Sequence, residues 1–165
     1  MPNSFLPETK EFIASLGLDP DGPYNQIYPE YSRPIYEMAI SFGREDIAID
    51  IISKSLDEPD LAKCYSIKDD WTIAEYAIHY NMPNLFRLIL TVDAFRNHID
   101  KLGYSLAHNV VYHKNLELLE IMRENGLIDL RSLTRQGKKD LLDLALVRMN
   151  FDVIQKLIEY GFDIN

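Results

Sequence analysis

Residues 101–123, KLGYSLAHNVVYHKNLELLEIMR, hold two short helical patterns around one polar break. Ser105 is a residue type that starts helices, because its hydroxyl accepts an amide N–H that the first turn leaves free. Lys114 and Asn115 interrupt the pattern, and Leu116 to Arg123 run on to Asn125–Gly126, where a left-handed residue can end a helix. Two helices this short cannot bury their apolar faces alone, so the stretch predicts neighbouring layers of its own kind.

The same chain supplies them. KDDWTIAEYAIHYNMPNLFRLIL over 68–90 aligns with 101–123 without a gap. RPIYEMAISFGREDIAIDIIS over 33–53 and KKDLLDLALVRMNFDVIQKLIEYG over 138–161 follow more loosely. A small residue in the middle of each first helix marks the period: Ala39, Ala77, Val110 and Ala145, at intervals of 38, 33 and 35 residues. A period of this length means stacked supersecondary units. Thr72 with Glu75 three residues on forms a capping-box pattern, Asn81 ends that helix, and Pro83 begins the next. The second helix then carries Leu85, Phe86, Leu88, Ile89 and Leu90. The first unit turns at Gly43 and the fourth ends at Gly161. The expectation is all-α, with no need for a sheet.

The repeats also carry a resemblance. Asp100, Gly103, Ser105 and His108 match the D-x-x-G-x-T-P-L-H opening of the ankyrin-repeat family, with Ala107 in the leucine place. Asp69, Thr72 and Ala77 match it again, with Asp70 where the glycine would stand. Gly126 and Gly161 match the glycine after the second helix, and Asp163-Ile164-Asn165 resemble the family's closing D-V-N. The departures are plain: no copy has the full T-P-L-H, Pro34 takes the threonine place in the first unit, and the fourth has an extra residue near Lys138. The resemblance covers roughly residues 30–165 and implies an ankyrin-like helical-pair solenoid. It also implies that Ser105 and His108 tie one repeat's turn to its neighbour. One domain is expected over 1–165, with a cap and connector over 1–30 and repeats over about 31–66, 67–99, 100–133 and 134–165. PETKEFIASLGL reads as the capping helix, from Pro7 to Gly17, with Phe12, Ile13 and Leu16 apolar. DPDGPYNQIYPEYSRP reads as an extended, tyrosine-rich connector.

The totals narrow the function. A chain of 165 residues with 47% hydrophobic and 26% charged residues has ordinary globular composition. Its net charge of −9 points away from nucleic acid and from anionic membranes, which are held by clustered Lys and Arg, and suits a partner with a basic surface. The single cysteine, Cys64, allows no internal disulfide and fits a reducing compartment. MPNSFLPETKEF has no basic start leading into an apolar run, and no apolar run reaches about 18 residues, the length a spanning helix needs. The localisation expected is cytoplasmic, that of a host cell if the protein is an effector.

No cofactor, metal or catalytic residue is expected. Ser105 and His108 lack an orienting acid and an oxyanion pocket in the local sequence. His79, His98, His108 and His113 are scattered, and no cysteine joins them at zinc spacing. Asp57, Glu58 and Asp60 lack the alternating ligand spacing of a calcium loop, with Pro59 among them. No G-x-x-x-x-G-K-[ST] occurs.

Binding is what remains. If the chain follows the ankyrin plan, a concave stripe includes Phe42, His79, Tyr80, Tyr112, His113 and Arg148. Turn tips would carry Tyr31, Arg33, Asp69, Asp70, Trp71, Tyr104, Arg135, Lys138 and Lys139. Tyr, Trp and Arg anchor protein interfaces because they bury much area at small entropic cost. The partner-binding candidates are therefore Trp71, Tyr104, Tyr80, Tyr112, His113, Arg148, Asp69, Asp70 and Phe42. The protein expected is a non-enzymatic adaptor or inhibitor, with a bacterial effector as one setting for such a divergent module. The alternative is a regulatory or targeting domain cut from a longer multidomain enzyme. Leu141, Leu144 and Leu157 are expected to face outward or to meet something further, with docking through the C-terminal repeat.

Overall fold

A computed structural model describes residues 4–56, 71–100, 102–129 and 139–162. The chain divides into two compact units, Met1–Val92 and Asp93–Asn165.

In the first unit, helix α1 (Pro7–Ser15) leads through a hairpin, β1 (Ile27–Tyr28) and β2 (Arg33–Pro34), into two helical pairs. These are α2 (Ile35–Ser41) with α3 (Glu45–Ser53), and α4 (Ile73–His79) with α5 (Pro83–Ile89). The second unit has a short α6 (Asp93–Arg96), then α7 (Leu106–Tyr112) with α8 (Leu116–Glu124), and α9 (Leu141–Val147) with α10 (Phe151–Glu159). Helical pairs are thus the substance of the fold, as the period requires. Two features differ from the sequence reading. The connector is not merely extended: Ile27 pairs Pro34 and Tyr28 pairs Arg33, antiparallel, around a tip where Ser32 is left-handed. Helix α6 carried no repeat signal.

The four pairs share one construction. The first helices begin after Pro34, Thr72, Ser105 and Asp140, and each is enclosed along most of its length. Ala39, Ala77, Val110 and Ala145 are all fully buried, which lets α2 pack against α4 and α7 against α9 at close range. The turn into each second helix needs one left-handed residue. Gly43, Asn81, Lys114 and Met149 fill that place, with φ between 51° and 71°. Only glycine adopts that conformation without steric cost.

The caps follow local chemistry where it is present. Thr72 accepts from the Ala74 amide (3.2 Å) while Glu75 accepts from the Thr72 amide (2.7 Å), the reciprocal box expected. Asp140 and Asp143 build a second box on α9 that went unread in the sequence: Asp143 N–H donates to Asp140 at 2.8 Å. Its D-x-x-D spacing was the available signal. Asn115 and Asn150 cap α8 and α10. Helix α5, which has no capping side chain of its own, is capped by its neighbour. Glu45 at the start of α3 accepts from the Asn84 and Leu85 amides at 2.7 and 2.9 Å.

Helix α1 closes its end of the first unit. Ile13 is fully buried, and α1 packs on α3. Asp50 on α3 accepts from the Leu6 amide (2.8 Å) and pairs with Lys54. Burial raises the Asp50 pKa, but hydrogen bonds from Lys54, Thr9 and Leu6 outweigh it and hold the carboxyl below its ordinary value. In the second unit one expectation fails. Leu141, Leu144 and Leu157 do not face outward; all three are buried. They lie on the faces that α9 turns to α7 and α10, and that α10 turns to α8 and α9, so the second unit itself covers them.

Candidate functional site

Each first helix emerges from its enclosure over its last residue and its C-cap. The C-caps are Phe42, Tyr80, His113 and Arg148, in the same structural place in all four pairs. Just before them stand Ser41, His79, Tyr112 and Val147. In α2, α4 and α7 the first six residues are buried and the seventh and eighth reach the surface before the chain reverses; in α9 Asp143 and Leu146 are exposed as well. The concave-stripe candidates are therefore helix ends, and Phe42 (60% exposed), Tyr80, Tyr112 and Arg148 are exposed there.

In the first unit, Trp71 lies half-buried, edge-on to Tyr76 at 5.4 Å and tilted against His79 at 5.0 Å. His79 in turn meets Tyr80 at 5.0 Å. Phe42 meets Phe12 of α1 edge-on at 6.2 Å. Tyr31 is exposed at the hairpin tip, 5.7 Å from Tyr28. In the second unit, Tyr104 stacks on His108 at 5.9 Å and neighbours Tyr112 at 6.5 Å. Arg148 sits 4.2 Å over the Tyr112 ring, and His113 meets that ring edge-on. An exposed cation on an aromatic face is worth about 0.5–1 kcal/mol, enough to hold Arg148 in place but not to bury it. Trp71 and Tyr104 hold the same place, one residue before the caps Thr72 and Ser105. Each is pinned to its own helix, so part of each ring is structural and part is accessible.

The structure therefore brings Tyr104, Tyr112, His113 and Arg148 into one patch, and Trp71, His79 and Tyr80 into another. Asp69, Asp70, Arg135 and Lys138 lie outside the described residues, as does Cys64. Lys139 is half-buried ahead of α9. Val147, an apolar residue with no aromatic or charged group to mark it in the sequence, joins the exposed helix ends.

Ser105 and His108 do touch. The hydroxyl lies 2.7 Å from His108 Nδ1, and the Ser105 amide points at the same nitrogen from 3.4 Å. His108 N–H approaches the hydroxyl at 3.5 Å, so the pair forms a capping box in which the imidazole does the work of a glutamate. His108 is buried beneath Tyr104. Before it, Asp100 accepts from the Leu102 and Tyr104 amides, both at 2.9 Å, and Gly103 turns with φ 82°. Asn109 Nδ2 reaches Asp100 at 3.3 Å. The Asp100 carboxylate, the Ser105 hydroxyl and His108 Nδ1 thus shape this turn and the start of α7. Among the described residues no three His, Cys, Asp or Glu stand together as a metal site.

Solved structures share this architecture. The ankyrin repeat domain of Bcl-3, described as a unique member of the IkappaB family, superposes with a TM-score of 0.65 at 21% identity over 78% of this chain. The fold is that of ankyrin repeats. This chain spans 57% of that Bcl-3 domain. A chain in the crystal structure of yeast ribosomal protein Rps3 with its chaperone Yar1 matches with a TM-score of 0.63 at 20% identity, covering 79% of this chain and 94% of that one. No protein-family model matches the sequence, and no curated protein matches it. The ankyrin architecture is therefore carried by structure at identities where sequence comparison alone is silent.

Proposed function

We propose that the protein is a non-enzymatic interaction module that binds a protein partner through the ends of its first helices and the adjoining turn tips. The observation that carries this reading is the repeated helix-end position: the C-caps of the first helices are Phe42, Tyr80 and Arg148, exposed, and His113, half-buried, with Tyr112 and Arg148 joined ring to cation. Tyr and Arg are among the residue types that anchor protein interfaces, and their contacts here leave part of each side chain accessible. The ankyrin fold supports the same reading, since one neighbour is a chaperone complex with its ribosomal protein. With a net charge of −9, the partner that fits best presents a basic surface, whose Lys and Arg would stack on Tyr80, while Arg148 and Tyr112 would meet its carbonyl and aromatic groups. Ser105 and His108 belong to a helix cap, which supports a binding role over a hydrolytic one. A cytoplasmic setting fits a chain with one cysteine, and an effector acting in a host cytoplasm is the setting that the divergence of its repeats suits.

The test compares capture by the full chain with capture by Tyr80→Ala/Tyr112→Ala and by Arg148→Ala, using quantitative mass spectrometry. Retained proteins should drop at least tenfold in the variants while melting temperature moves by no more than a few degrees. An unchanged set of captured proteins would dismiss the helix-end surface.

A further inference from the structure

The chain's charge is not shared evenly. The unit Met1–Val92 holds 15 Asp and Glu against 7 Lys and Arg, a net −8, whereas Asp93–Asn165 holds 11 against 10, a net −1. The first unit also engages its own cations: Lys10 pairs with Asp21, Arg44 with Asp46 and Lys54 with Asp50. Glu8, Glu11, Asp19 and Glu30 stay exposed. A field of this sign draws a basic segment toward the first unit, but screened charge alone does not place one.

Rings can. Cation-on-ring pairs recur in this chain: Lys54 stands 5.1 Å from the Phe5 ring centre, Arg123 5.3 Å from that of Tyr160, and Arg148 4.2 Å from that of Tyr112. The last pair shows what a ring at the end of a first helix holds, and the Tyr112 face is thereby taken. Among the described residues no Lys or Arg stands over Trp71 or Tyr80. Tyr80 is nonetheless 39% exposed at the end of α4, and Trp71 is half-buried beside the same helix. His79 touches both rings, 5.0 Å from each, so the three form one aromatic cluster.

We propose that the Trp71, His79 and Tyr80 cluster is the docking site for an arginine-bearing basic segment of a protein partner, whose guanidinium stacks on the accessible parts of the Trp71 and Tyr80 rings. Charge complementarity selects a cation, and the rings select which one. A guanidinium is planar and weakly hydrated, so it lies flat on an aromatic face, whereas an ammonium is compact and keeps its water. Tryptophan is the strongest ring for such a contact. The inference rests on the helix-end reading and narrows it to one unit, one cluster and one partner side chain.

The experiment titrates the full chain with a short peptide alternating arginine and glycine, and with its lysine counterpart of equal length and charge. Salt is held at about 0.15 M, where distant charges are screened. Trp71 is the only tryptophan in the chain, so its fluorescence reads the site directly. The arginine peptide should shift that fluorescence saturably and bind at least about twofold more tightly than the lysine peptide. Tyr80→Ala should weaken the arginine peptide about twofold to fivefold, the worth of one exposed cation-on-ring contact, with circular dichroism unchanged. Should that variant misfold, Tyr80→Leu keeps an apolar side chain but removes the π face, and it should weaken binding to the same degree. A silent Trp71, equal affinity for the two peptides, or full binding by whichever variant folds would each overturn the proposal. If partner capture falls in Tyr80→Ala/Tyr112→Ala while Trp71 ignores both peptides, the helix-end surface stands and only the arginine site is lost.

Discussion

The left-handed turn between paired helices offers the sharpest test of the repeat reading, because four different residues occupy one backbone conformation. Gly43 has φ 71°, and a side-chain carbon built on it would meet nothing within 4 Å. Any cost of Gly43→Ala therefore comes from the backbone alone. An L-residue in this region costs about 1–2 kcal/mol, and replacing glycine regains about 0.4–1 kcal/mol by restricting the unfolded chain. The net loss is about 0.5–1 kcal/mol. Lys114 at φ 61° and Met149 at φ 51° make the same argument in reverse. Lys114→Gly and Met149→Gly should each gain about 0.5–1 kcal/mol, since both side chains are exposed and forfeit little contact. Asn81→Gly should gain less, because asparagine tolerates this conformation. Urea unfolding reads the result as a midpoint shift of roughly 0.4 M for a slope near 2 kcal/mol/M. In thermal unfolding, each 1 kcal/mol moves a chain of this size by about 2–4 °C. The reasoning is refuted if Lys114→Gly and Met149→Gly both lower the midpoint, or if Gly43→Ala raises it.

Two further predictions concern ionisable groups. Asp50→Asn should loosen α1 without unfolding the helical pairs, at about 1.5–3 kcal/mol for the charged hydrogen bonds lost, and hydrogen exchange at residues 10–16 should quicken. Because the folded Asp50 pKa is lowered, its contribution is complete above the ordinary aspartate value near 3.9 and is lost as pH falls through the folded value. The acid sensitivity of the parent below about pH 4 should therefore flatten in the variant. Tyr160 is pushed up to about 12 by burial and by its hydrogen bond to Glu120, which also pairs with Arg123 at 2.8 Å. Its contribution is complete below the ordinary tyrosine value near 10 and is lost as pH rises toward 12. Ultraviolet titration should place Tyr160 among the late phenols of the folded chain, and Glu120→Gln should bring one of them earlier; an unmoved late fraction would assign the shift elsewhere.

What could be read in advance was whatever acts over a few residues. Thr72 with Glu75, the Ser105 cap, Gly43 and Asn81 in left-handed turns, Gly17 after α1 and the 33–38-residue period all appear in the structure where the sequence placed them. The aromatic and arginine candidates were chosen by residue type and repeat position, and the helix-end location of Phe42, Tyr80, His113 and Arg148 follows from that same period.

Other features arise only in three dimensions. Glu45 caps a helix that begins 38 residues later, and no local pattern announces a bond across such a gap. Trp71 and Tyr104 looked like free turn tips, yet both lean on rings of their own helices. Leu144 and Leu146 are alike in sequence, but one is buried and the other open. Capping and turn geometry are settled by atoms within a turn of each other, so the chain alone dictates them. Burial is settled by which layer arrives on which face, and on α9 and α10 that was decided by the fold.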